Sequence, residues 1–146
     1  MVNATQDVTG KSTKTVVHIH CDGACSGNPG AGGWAALLTI PGKPNKKAIS
    51  GKSETTTTNN RMESTAAIEA LKALKKPCKV TLFSDSTYLV NTMAKSWKRN
   101  ANQDLWEELD KLAKVHEVTW LWLARNSTPE LAECDRLAKE QVINPH

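Results

Sequence analysis

The spacing of apolar and polar positions changes near residue 58, and the elements that it predicts change with it. "TVVHIHCD", residues 15–22, alternates apolar and polar side chains and predicts a half-buried strand that ends at Asp22. "GWAALLTI" predicts a second strand after a glycine-rich turn, and "KAISGKSETTTT" contains a third, weaker one. Because only short loops separate these strands, the first part of the chain predicts an antiparallel meander.

Helical periodicity dominates the rest of the chain. "NNRMESTAAIEALKALKK" predicts a helix that has an Asn before its start and is closed by Pro77. Two further helices are predicted in "STYLVNTMAKSWKRN" and "QDLWEELDKLAKV", and a last one in "TPELAECDRLAKEQV". Between them, "CKVTLFSD" and "EVTWLWLA" predict a fourth, central strand and a fifth. This order predicts an α/β fold, a mixed five-stranded sheet covered by helices.

Composition and charge narrow the class of protein without fixing its function. The 146 residues predict one domain, residues 15–146, behind a polar tail, residues 1–14. No apolar run is long enough for a membrane span and no secretion signal opens the chain, so we expect a cytoplasmic protein, monomeric by default. The four cysteines lack CxxC spacing and are interpreted as reduced thiols. The net charge of +4 tolerates a polyanionic partner without demanding one.

One acid of the first predicted helix lies on the inward, apolar face rather than on the face that is exposed to solvent. Helical spacing puts Ala67, Ala70, Leu71 and Leu74 on the inward stripe. Glu63 precedes Ala67 by four residues and therefore lies on the same stripe. A single inward acid is most simply a capping or hydrogen-bonded structural residue.

Three more acids lie at comparable positions, which makes the structural interpretation harder to maintain. Asp135 falls between Leu131 and Ala138 on the inward face of the last helix, and Asp85 and Asp22 each end a predicted strand. Carboxylates that are brought together raise each other's pKa and cost stability unless cations lie among them. Oxygen ligands of this kind favour Mg²⁺ or Mn²⁺ over zinc.

Four segments carry a resemblance to a known family. "DGACSGNPGAGGWAALL", "TTNNRMESTAAIEAL", "LFSDSTYLVN" and "AECDRLAKE" resemble the signature segments of type 1 ribonucleases H, in family order and over residues 16–141. The resemblance implies the ribonuclease H-like fold, with three antiparallel strands followed by two parallel ones. It also implies endonucleolytic hydrolysis of the RNA strand of an RNA/DNA hybrid, with two divalent ions, Mg²⁺ or Mn²⁺, and 5′-phosphate and 3′-hydroxyl products. The family's acidic quartet maps onto Asp22, Glu63, Asp85 and Asp135.

The resemblance also implies residues that hold the hybrid. Asn28 matches a contact to the sugar–phosphate edge, and Thr58 and Arg61 match positions that grip phosphate of the DNA strand. Asn59 and Asn60 match minor-groove contacts, although the alternative, that one of them caps the helix, stays open.

Two departures from the family pattern change what we expect. The family's flexible-loop His is replaced by Arg125, ten residues before Asp135, and arginine attracts phosphate but does not shuttle protons near neutral pH. We expect Arg125 to touch the scissile phosphate or the product, with a plain surface arginine as the alternative. The basic protrusion is shortened to "WKRNANQDLW", so we expect weaker hybrid binding and a steep salt dependence. Trp97 either stacks on a DNA-strand sugar or packs normally.

The remaining aromatic and histidine residues have simpler interpretations. We expect four tryptophans in the core: Trp34, Trp106, Trp120 and Trp122. We expect His18 and His20 to pack against other side chains. The alternative is that these two histidines form a metal site of their own. Two other functions remain open: a catalytically silent hybrid-binding module, in which the changed loop marks lost activity, and a transposase-like nuclease core.

Overall fold

The computed structural model describes residues 14–143, so the predicted tail, apart from Lys14, lies outside the described residues. Within that range five strands and four helices alternate in the predicted order. The strands are β1 (Thr15–Ser26), β2 (Ala31–Thr39), β3 (Lys46–Lys52), β4 (Cys78–Ser84) and β5 (Glu117–Trp122). The helices are α1 (Asn59–Lys72), α2 (Thr87–Lys95), α3 (Gln103–Val115) and α4 (Pro129–Ile143).

The strands form one mixed sheet in the order β3-β2-β1-β4-β5. β1, β2 and β3 pair antiparallel to one another, while β4 pairs parallel to β1 and β5 parallel to β4. The predicted fold class, three antiparallel strands and then two parallel ones between helices, is confirmed. The parallel pairing of β1 and β4 brings the carboxyl ends of two central strands to the same edge of the sheet.

Helices cover both faces of the sheet. On one face the main core joins α1 to strands β1 and β4 and to α2 and α3, with Ile19, Leu71, Leu82 and Leu109 fully buried. On the other face α4 lies across β1 and β2 and forms a smaller apolar cluster of Ala35, Leu37, Cys134 and Ala138. The sheet is therefore fixed from both sides near the middle of β1.

Three element boundaries differ from the sequence-based prediction. β1 does not end at Asp22, because its pairing with β2 continues from Asp22↔Ala35 to Ser26↔Ala31. α1 is capped by Thr58 rather than by an asparagine, and it ends at Lys72, before Pro77. α2 ends at Lys95, so Trp97 lies in the connector of residues 96–102 and not in a helix.

The tryptophans divide between core and surface. Trp106 and Trp120 are buried as predicted, and Trp34 packs half-buried against the main core. The prediction for Trp122 is wrong, since its side chain is 50% exposed. Trp122 is the last residue of β5, the strand at the edge of the sheet, so no further strand covers it.

Two smaller expectations can be compared with the described residues. The four cysteines are unpaired, and three of them are buried. Among residues 14–143 no helix has the length and apolar character that crossing a membrane requires.

Candidate active site

Three carboxylates from three elements converge at the edge where β1 and β4 end. Asp22 lies on β1, Glu63 on α1, and Asp85 directly after β4. α1 can approach β1 this closely because residue 23 is glycine: a Cβ there would lie 2.6 Å from the backbone nitrogen of Glu63. One oxygen from each of the three carboxylates lies within 4.8 Å of the other two.

The protein environment opposes ionisation of this group. Burial raises the pKa of Asp22 to about 7, and the negative charge of Asp85 acts in the same direction, against hydrogen bonds from Glu63 and from the backbone N–H of Gly23. Burial also raises the pKa of Glu63 well above its usual range, reinforced by the charges of Asp22 and Asp85. Three ionised carboxylates are thus unfavourable here without a cation.

The donor set suits a hard divalent cation. Oε1 of Glu63 is buried and has no hydrogen-bond partner, although a buried carboxylate oxygen normally has one. All three ligands are carboxylate oxygens, which Mg²⁺ and Mn²⁺ prefer. Divalent-metal dependence therefore fits both the geometry and the unsatisfied oxygen.

The alternative metal site at the histidines is not formed by the described residues. Within residues 14–143 the three acids are the only group of at least three ligand side chains with metal-binding spacing. His20 stacks on Phe83 with ring centroids 4.6 Å apart, and His18 meets the same ring edge-on at 5.5 Å. In the structure both histidines therefore pack against the ring of Phe83.

Asp135 lies beside the three acids but is held by cations of its own. Its side chain, on α4, is 11% exposed. Nζ of Lys139 lies 3.0 Å from one carboxylate oxygen, and a guanidinium nitrogen of Arg125 lies 3.5 Å from the other. The charge of Asp135 still contributes to the raised pKa of Asp22, so the four acids share one electrostatic environment.

An open cleft of about 860 Å³ lies over the acids. Of the predicted substrate-binding residues, Asn28, Asn59 and Asn60 line this cleft, and so does Arg125, which was predicted as a catalytic residue. The side-chain oxygen of Asn28 accepts a hydrogen bond of 3.0 Å from the backbone N–H of Asn59, which ties the β1–β2 turn to the start of α1. These amide side chains are therefore presented together at one wall.

Three predicted substrate-binding residues lie outside the lining of the cleft. Oγ1 of Thr58 accepts the backbone N–H of Arg61 at 3.2 Å and so caps α1. The Arg61 guanidinium makes two hydrogen bonds to the Asp104 carboxylate, of 2.7 and 3.1 Å. Trp97 is 48% exposed in the connector between α2 and α3.

Several residues that line the cleft were not predicted from the sequence, among them Tyr88, Trp122 and Lys139. Lys139 could have been found, because it lies one helical turn after Asp135 and such pairs meet on a helix face. Tyr88 and Trp122 carry no comparable signal. Their exposure depends on which strand lies at the edge of the sheet and on where α2 begins.

Comparison with known proteins identifies the relatives of this chain. The family model described as RNase H matches residues 14–143. A ribonuclease H of Caldanaerobacter subterraneus subsp. tengcongensis is 50% identical, with 90% of this chain and 94% of the relative covered. A ribonuclease H of Thermoanaerobacter sp. is 51% identical, with 87% of this chain and 90% of the relative covered.

Solved structures show the same fold at lower identity. LC11-RNase H1, crystallised in complex with an RNA/DNA hybrid, superposes with a TM-score of 0.77 at 23% identity, covering 88% of this chain and 98% of that one. The N-terminal RNase H domain of a Mycobacterium tuberculosis protein gives a TM-score of 0.79 at 24% identity, covering 88% and 94%.

Proposed function

The chain belongs to the type 1 ribonuclease H family, and from this premise we propose that it is an endonuclease that hydrolyses the RNA strand of RNA/DNA hybrids. The observation that carries the proposal is the convergence of Asp22, Glu63 and Asp85 within 4.8 Å in an open cleft. The products are a 5′ phosphate and a 3′ hydroxyl.

We further propose that Asp22, Glu63 and Asp85 hold two divalent ions, Mg²⁺ or Mn²⁺, and that Asp135 completes the set. The chemistry supplied by the bound ions is stabilisation of the charge on the phosphate and activation of the attacking water. The protein supplies the ligands in a buried position where their ionisation needs a cation, as the raised pKa values of Asp22 and Glu63 indicate. Lys139 limits the negative charge at Asp135.

We assign recognition of the hybrid to the asparagine side chains that line one wall of the cleft. Asn28, Asn59 and Asn60 offer donors and acceptors that can read 2′-hydroxyl groups across a shallow minor groove. Thr58 and Arg61 are proposed phosphate contacts of the DNA strand. To bind a phosphate, the Arg61 guanidinium has to give up its ion pair with the Asp104 carboxylate. This exchange costs little, because an exposed ion pair contributes only modestly to stability.

Arg125 is proposed to contact the scissile phosphate or the product in place of the family's histidine. It lines the cleft, and only a 3.5 Å contact holds it to Asp135. Arg125→Ala should lower turnover, whereas Arg136→Ala should not, because Arg136 is a similarly exposed arginine that is paired with Glu140 and does not line the cleft. If Arg125→Ala has the turnover of the wild type, Arg125 is a surface residue without a role in the reaction.

The proposed function is tested by cleavage of an end-labelled RNA strand paired with DNA, in the presence of Mg²⁺, Mn²⁺ or a chelator. Duplex RNA and single-stranded RNA of the same sequence run in parallel. We expect metal-dependent cutting of the hybrid, lost in Asp85→Asn and retained in Glu107→Gln, a change at an exposed acid of α3.

Binding of the hybrid without cutting under either metal would favour the silent binding module instead. Cutting that persists in the chelator would contradict the metal-dependent mechanism. The cytoplasmic location and the monomeric state stay predictions.

A further inference from the structure

Trp122 stands out because it is a large aromatic residue left half-exposed at the rim of the cleft. Its side chain is 50% exposed and lines the cleft together with Asp85. Trp120, two residues earlier on the same face of β5, is buried in the core. Core packing therefore accounts for Trp120 but not for the exposed position of Trp122.

The indole N–H of Trp122 has a specific partner. Nε1 donates a hydrogen bond of 3.0 Å to the backbone carbonyl oxygen of Asp85. The partner belongs to the turn between β4 and α2, which separates the last strand residue, Ser84, from the first helical residue, Thr87. The orientation of the Asp85 carboxylate depends on the conformation of this turn.

Two further hydrogen bonds hold the peptide units on either side of Asp85. The backbone N–H of Leu123 donates to the Ser84 carbonyl at 3.0 Å, and the Ser84 hydroxyl accepts the N–H of Ser86 at 3.1 Å. The Ser86 hydroxyl in turn caps α2 by accepting the N–H of Leu89 at 3.1 Å. The contact from Trp122 is the side-chain hydrogen bond that holds the Asp85 carbonyl oxygen from the neighbouring strand.

We propose that Trp122 is a positioning residue that holds the Asp85 carboxylate in the orientation needed to bind a divalent cation. The inference rests on the proposed function, since it concerns the same acids. Partners that orient metal ligands commonly change metal affinity or activity by about 10–100-fold when they are removed. A single hydrogen bond to a backbone carbonyl places the expectation at the lower end of that range.

The test uses Trp122→Phe, which keeps an aromatic ring and removes the N–H, in the full chain. Leu121→Ala is the control, because Leu121 lies in the same strand, is 44% exposed and does not line the cleft. Calorimetric titration with Mn²⁺, without nucleic acid, should show about tenfold weaker binding for Trp122→Phe and no change for the control. In the metal-free protein, the amides of residues 84–87 should exchange hydrogen faster in Trp122→Phe. If Trp122→Phe does not fold, Trp122→Tyr takes its place.

A double-mutant cycle separates positioning from general destabilisation. If Trp122 acts through Asp85, Trp122→Phe should have no further effect on the residual Mn²⁺ affinity of Asp85→Asn. Wild-type Mn²⁺ affinity in Trp122→Phe, or an equal loss in both backgrounds, would overturn the inference. Failure of the wild-type chain to cut the hybrid would instead overturn the proposed function, whatever the Mn²⁺ titrations give.

Discussion

Asp22 illustrates how burial of a single carboxyl group ties stability to both pH and metal. Its side chain lies in the middle of β1 and is 4% exposed, and burial raises its pKa to about 7. Between the pKa of an unfolded aspartate, about 4, and this value, the native protein holds a proton that the unfolded chain has lost. Without metal, the contribution of Asp22 to the free energy of unfolding is therefore highest below about pH 4, and it falls as the pH rises to 7.

We predict that Asp22→Asn removes this loss. In a chelator, raising the pH from 5 to 8 should lower the unfolding free energy of the wild type by an amount on the order of a few kcal/mol, because each pKa unit corresponds to about 1.4 kcal/mol. The fall should be smaller in Asp22→Asn, and the part that remains is due to Glu63, whose pKa burial also raises. Thermal or urea unfolding at both pH values measures the difference.

Asp104→Asn is the control for that measurement. The Arg61 guanidinium lowers the pKa of Asp104, so this group is ionised in both states between pH 5 and 8 and its stabilisation is lost only at lower pH. Asp104→Asn should leave the slope between pH 5 and 8 unchanged. An Asp22→Asn variant that loses stability as steeply as the wild type would contradict the assignment.

The acids of the site could be predicted from the sequence, whereas the contacts between distant residues could not. Glu63 and Asp135 were found because an acid on an apolar helical stripe is visible in the spacing alone. The Arg61–Asp104 pair joins α1 to α3 across 43 positions, and no local pattern predicts it. The exposure of Trp122 likewise depends on its strand lying at the sheet edge.

Among the elements, the first turn of α1 has the most direct influence on the site. Thr58 caps the helix, and Glu63 follows within its second turn. Gly23 allows that turn to pack directly on β1 beside Asp22. A change in the cap therefore affects both the stability of α1 and the position of a proposed metal ligand.

We predict that Thr58→Ala lowers the unfolding free energy by about 1 kcal/mol, because the N–H of Arg61 loses its side-chain acceptor. The melting temperature should fall by a few degrees. Thr58→Ser, which keeps the hydroxyl, should restore most of the stability, and Thr55→Ala, an exposed threonine before the helix, should have no effect.

The same variants examine the proposed phosphate contact of Thr58. If Thr58 serves only as a cap, hybrid affinity measured well below the melting temperature should be the same in Thr58→Ala and in the wild type. If it also grips phosphate, Thr58→Ala should bind the hybrid more weakly. A Thr58→Ala variant that unfolds like the wild type would show that the cap contributes nothing.

Element type was predictable over the described residues, whereas several ends were not. Alternation and helical spacing identify each strand and helix locally. The end of β1 depends instead on how far β2 can pair with it, and apart from Trp34 the residues opposite, Ala31, Gly32, Gly33 and Ala35, are small and allow pairing to continue past Asp22. α2 ends at Lys95 and is followed by Ser96 in a left-handed conformation, which the run of polar residues after it did not indicate.

For the whole molecule, the distribution of positive charge should decide how the hybrid is held. The connector of residues 96–102 lies next to the cleft, because the Asn102 amide donates a hydrogen bond of 3.0 Å to the hydroxyl of Tyr88, which lines the cleft. Arg99 of this connector is already paired with Asp110 in two hydrogen bonds. Lys98 is the other cation of the connector, and it is exposed.

We predict weak hybrid binding whose affinity falls steeply with salt, and a loss of about one unit in the slope of log Kd against log salt for Lys98→Ala. The matched control is Lys76→Ala, which removes the same charge before β4, at the opposite edge of the sheet from Asp85. Fluorescence anisotropy with a labelled hybrid, in chelator and over a range of salt concentrations, gives both slopes. Because a phosphate contact carries no sequence information, the loss should be equal for hybrids of different sequence. Tight binding with a shallow slope would mean that apolar or hydrogen-bonding contacts in the cleft, rather than counterion release, hold the hybrid.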